Sequence, residues 1–113
     1  MGQVVVPIFN DEYVVVVGWG SYAVRQKILG NWGYWSADAE ISGRGICHVS
    51  KLRHPVILLP KRPETPDEIG VLTHEAIHAI NAVFKHIETK HRGQLYASSV
   101  EAVVRITLES KVK

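Results

Sequence analysis

Cysteine is nearly missing from this sequence: Cys47 is the single one in 113 residues, so no internal disulfide can staple the fold. Packing, or a bound metal, has to hold it together. Long apolar runs are missing as well. VVVP from Val4 and YVVVVGWG from Tyr13 fall far short of the roughly 20 residues that a membrane-spanning helix needs. There is no dense basic block. Thirteen Lys and Arg against 11 Asp and Glu leave a net charge of +2, scattered along the chain, which lends no support to nucleic-acid binding. The opening MGQVVVPIF carries no basic segment ahead of an apolar stretch with a cleavage site. Val6 stands where a myristoylation signal wants Ser or Thr. The expectation is a protein of a reducing cytoplasm.

What is present fits one domain over residues 1–113, with a 46% hydrophobic fraction sufficient for a modest core. QVVVPIF and YVVVVGW are β-branched and aromatic, and Asn10 to Glu12 form a turn cluster between them, which predicts a hairpin. Pro7 cannot donate to a ladder, so the first strand belongs at an edge or carries a bulge. Ser21 caps a short helix whose Ala23, Val24, Ile28 and Leu29 share a face, with Gly30 at its end. The stretch from Asn31 to Gly45 reads as loop, with a strand around Ala39 to Ile41; GICHVSK and HPVILLP read as two further strands. Thr65, Pro66, Asp67 and Glu68 then supply a cap, a first-turn proline and early acids. From there a helix is predicted to about Glu88, with Ile69, Leu72, Ala76, Ile80, Val83 and Ile87 as its apolar stripe. Gly93 breaks the chain, and a second helix follows from about Leu95 to Lys111. The fold class is α+β, a small, mostly antiparallel sheet packed on these two helices.

One stretch carries chemistry. In VLTHEAIHAI, His74 and His78 are four apart and so stack on one helix face, with Glu75 beside them. Two imidazoles at that spacing supply two corners of a tetrahedral zinc site, and the carboxylate can take a proton from a water at an open corner. Ala76 and Ile77 would anchor the helix. The competing reading is a polar helix face with two unliganded histidines. A third ligand six residues past His78 is excluded, because Phe84 stands there and Asn81 occupies the midway glycine position. Glu101, early in the second helix among Ala97, Ser98 and Ala102, is the better candidate; Glu109 reads as surface. The alternative for Glu101 is an ion pair with Arg105 one turn on. His91 in the connecting turn is the second choice, whereas His86 lies about 12 Å along the axis from His78. Asn81 faces the histidines' side as a possible hydrogen-bonding partner or a plain surface amide. Tyr96 and His54 are candidates to steady a developing oxyanion, with ordinary packing as the alternative for each. Cys47 reads as core, and Trp19, Trp32 and Trp35 as either cleft lining or core.

LTHEAIHAIN, the strand HPVILLP before it and a following helix bearing a glutamate together resemble the zincin-like metallopeptidases of the glutamate-ligand type. More narrowly, they resemble the small HExxH proteins encoded by bacteriophages and prophages. The resemblance covers Pro55 to Glu109. Val103 and Val104 stand where that family tends to place an aromatic pair. The resemblance implies Zn2+ held by His74, His78 and Glu101, with Glu75 as general base. It also implies an edge strand that holds an extended peptide substrate by strand addition in a bacterial cytoplasm. The rival expectation is a non-catalytic phage accessory or host-takeover protein that binds a partner, with a structural metal or none.

Overall fold

The hairpin sets the sheet. In the computed structural model, which describes residues 2–8, 13–34, 45–50, 53–85 and 92–111, β1 (Gly2–Ile8) and β2 (Tyr13–Trp19) pair antiparallel from Gly2 against Trp19 to Ile8 against Tyr13. Gly2 lies against the Trp19 indole, with no room for a Cβ. Pro7 falls on β1, an edge strand, as its missing N–H requires. β2 leads through α1 (Tyr22–Asn31) to β3 (Ile46–Ser50) and β4 (Arg53–Leu59). The sheet order is β1-β2-β4-β3, with β2 and β4 parallel and the other two pairings antiparallel. α2 (Pro66–Lys85) and α3 (Arg92–Glu109) complete an α+β fold.

Alternation along the strands divides the sheet into two covered faces. Val6, Ile8, Val15, Val17, Ile57 and Leu59 pack under Leu72, Ala76, Ala79, Ile80, Val83 and Phe84 of α2 and Val103 of α3. On the other face Val16, Val56 and Leu58 meet Ile28 and Leu29 of α1. β2 is apolar without interruption because both of its faces are buried. Among the described residues, no helix is long and apolar enough to cross a membrane.

Several local expectations shift. α1 runs one residue past Gly30, and its turn uses Gly33 at φ 89° instead. Ala23 faces out, so the buried side of α1 is Ile28 and Leu29 with Val24 at its margin. α3 starts at Arg92, which puts Gly93 inside the first turn, and it ends at Glu109. Ile77 is 39% exposed and anchors nothing beneath the helix. The expected strand at 39–41, the end of the motif helix past Lys85, and His86 and His91 lie outside the described residues.

The entry into α2 is well secured. Glu68 N donates to Thr65 Oγ1 at 3.2 Å, while Glu68 Oε1 accepts from Thr65 N at 3.0 Å and Glu64 N at 3.1 Å. This reciprocal pairing is a capping box. Lys61 Nζ sits 3.0 Å from the other Glu68 oxygen. The Thr65 N–H above all, with Lys61 next, holds the Glu68 carboxyl down at about 2. Thr65→Ala is expected to cost about 1 kcal/mol, read as a lowered midpoint in urea unfolding with an unchanged slope. At the opposite end of the pair, Arg62 donates to the Leu108 carbonyl at 2.9 Å, tying the α2 approach to the C-terminal turn of α3.

Candidate functional site

The apolar stripe that docks α2 decides where its polar residues go. Leu72, Ala76, Ala79 and Val83 point into the sheet, so His74 and His78, rotated away from that line, emerge exposed on the outer side. Their Nε2 atoms approach to 3.2 Å, with ring centroids 4.8 Å apart and planes at 81°. In the absence of a cation, this distance serves a hydrogen bond in which one ring donates to the other. It also suits a shared metal, because two zinc–nitrogen bonds of about 2.0–2.1 Å at a tetrahedral angle set their nitrogens about 3.3–3.4 Å apart.

Glu75 turns the other way, beneath β3. Only 9% of it is exposed, and its carboxylate has no hydrogen-bond partner among the described residues. The carboxylate opens into the space between β3 and α2, where a ligand can reach it. Gly45 makes the close approach of β3 possible: a Cβ there would come within 2.6 Å of Val71 Cγ1 and 3.5 Å of Glu75 Cγ. Burial, with the negative charge of Glu75 beside it, pushes the Cys47 thiol up to about 12. Cys47 is thus a protonated wall and not a nucleophile. His48, next along the strand, faces the opposite side of the sheet against Tyr34, and burial lowers its pKa.

A groove of about 960 Å³ runs between β3 and α2, lined by Gly45, Cys47, Val49, Glu75, His78 and Lys85, with Asn81 and Ala82 along its α2 wall. Glu75 and His78 share this groove. Among the described residues β3 pairs only with β4, so its other edge borders the same space.

Glu101 is elsewhere. Its carboxylate accepts from Arg105 Nε at 2.8 Å, it is 59% exposed, and it borders a separate apolar groove with Thr73, Ile77, Val100 and Val104. Glu109 also leans toward Arg105, at 3.7 Å. Among the described residues, no three His, Cys, Asp or Glu side chains are gathered closely enough to hold a metal ion. The expected ligand trio is therefore not assembled: the two histidines meet, and Glu101 adopts the ion-paired alternative. The cause is rotational, since α3 packs along the Phe84 and Ile80 side of α2 while the histidines face away.

The remaining candidates separate clearly. Tyr96 packs edge-on against Phe84 at 5.7 Å. His54 accepts from Val14 N at 3.3 Å and meets Trp32 edge-on, on the α1 side of the sheet. Neither lines the groove. Trp19 is core, and Trp35 lies outside the described residues. Two groove residues, Gly45 and Lys85, escape a sequence reading centred on the motif. Lys85 had a usable signal, being seven residues and two turns past His78 on the same face. Comparison of the chain with protein-family models, curated proteins and solved structures finds no match in any of the three.

Proposed function

We propose that this chain is a zinc-dependent hydrolase acting on peptide bonds, with His74 and His78 as the metal ligands and Glu75 as the general base. The carrying observation is the Glu75 carboxylate, unpartnered among the described residues and opening into a groove that His78 also lines, with the Nε2 atoms of His74 and His78 3.2 Å apart. The donor chemistry of the pair suits zinc, and Glu101 is not counted with it. When bound, zinc supplies polarisation of a carbonyl and acidification of a water.

The chain's own residues do the rest. Glu75 takes the proton of the attacking water and returns it to the leaving amine, a role that no competing donor among the described residues obstructs. The outer edge of β3, unpaired among the described residues, offers main-chain N–H and C=O groups to an extended substrate, which fixes its register without a deep pocket. The groove walls, Cys47 and Val49 against Ala82, give the reacting bond an apolar flank. The setting stays the one the resemblance implies, a phage-encoded protein in the bacterial cytoplasm.

A second reading, a non-catalytic phage accessory or host-takeover protein, draws support from the apolar groove between α2 and α3. Ile77, Val100, Val104 and Leu108 line about 690 Å³ there with little polar wall. Activity separates the two. Protein carrying one zinc is expected to cleave members of a diverse peptide mixture, to stop when a chelator removes the metal, and to resume when zinc is restored. Zinc-loaded protein that cleaves nothing would leave the binding reading standing.

A further inference from the structure

We infer that Lys85 makes the β3–α2 groove selective for an extended peptide bearing a carboxylate about three residues from the bond held at His78. This rests on the groove being the substrate site of the proposed hydrolase.

The charges of the groove are sparse and separated. Of its described lining residues only Glu75 and Lys85 carry formal charge, with Cys47, Val49 and Ala82 forming a nearly neutral middle. Val49 is 49% exposed and sits where the β3–β4 register slips between His48 and Ser50, so its apolar side chain is presented to the groove. Lys85 has no acidic partner among the described residues, whereas Lys61 pairs with Glu68 and Arg105 with both Glu101 and Glu109. Among the described residues its ammonium is thus the free positive group of the groove, ten residues along α2 from Glu75.

Spacing turns this polarity into a register. Lys85 follows His78 by seven residues, about 10.5 Å along a helix axis. A strand advances about 3.3 Å per residue, so a peptide on the β3 edge spans that length in about three residues. A carboxylate there meets a cation, while a lysine there meets like charge. The carboxylate can belong to an Asp or Glu side chain or to the peptide's own C-terminus.

Binding tests this without requiring turnover. Capped, fluorescently labelled hexapeptides of neutral residues would carry a single Glu, Gln or Lys moved along the chain. A matched uncapped peptide presents a free C-terminal carboxylate. Each is titrated by anisotropy against metal-free and zinc-loaded wild type, Lys85→Glu and Lys85→Met, all checked by circular dichroism. In wild type one Glu position, the free C-terminus, or both are expected to bind about fivefold tighter than the Gln or amide counterpart, the gain of one exposed ion pair. The preference vanishes in Lys85→Met and passes to the Lys peptide in Lys85→Glu. If Lys85→Glu does not fold, Lys85→Met alone decides. No peptide binding, no charge preference, or a preference that survives both variants overturns the inference. Selective binding without cleavage keeps it and removes the hydrolase reading. Cleavage without charge preference does the opposite.

Discussion

Glu75→Gln is expected to lower zinc-dependent peptide hydrolysis by about a hundredfold to ten-thousandfold, the usual contribution of a positioned general base, with zinc still bound. The substitution keeps the shape of the side chain under Gly45, so β3 stays where it is. It removes only the ability to accept a proton. Stability should hardly fall, because the Glu75 carboxylate makes no hydrogen bond among the described residues that the amide would forfeit. Rates measured on zinc-loaded wild type and variant, with metal content determined on the same samples, check this. An unimpaired variant would remove Glu75 from the chemistry, whatever the metal does.

The second large effect concerns the ligands. His78→Ala and His74→Ala are each expected to weaken zinc binding by more than about a hundredfold, beyond the cost of losing an outer-shell partner. Both rings are exposed, so melting of the metal-free protein should move little. Glu101→Gln, by contrast, is expected to change zinc affinity by less than about twofold. Its carboxylate is occupied by Arg105 on a solvated helix face, an i,i+4 pair of a few tenths of a kcal/mol. Competition against a chromophoric chelator gives all three affinities. A large loss in Glu101→Gln would mean that α3 rotates to bring that residue to the metal.

Much of this architecture is written in local pattern. The hairpin, the cap at Thr65 and the α2 stripe follow from β-branched runs, turn residues and three-four periodicity, and the structure carries each of them. The histidine pair was readable for the same reason, since spacing within one helix fixes which side chains meet. Glu101 was not, because its position depends on which side of α2 receives α3. Small residues around Glu101 suggested close approach, but Phe84, Tyr96 and Val103 set the contact instead. The burial of Glu75 was equally hidden. It depends on Gly45, 30 residues earlier, letting a strand close over it.

X-ray absorption at the zinc edge of protein loaded with one equivalent tests the shared-cation claim most directly. The expected spectrum has two imidazole nitrogens at about 2.0–2.1 Å, and that imidazole signature is lost in a His74→Ala, His78→Ala double variant. A zinc environment without imidazole, or one unchanged in the double variant, would contradict it.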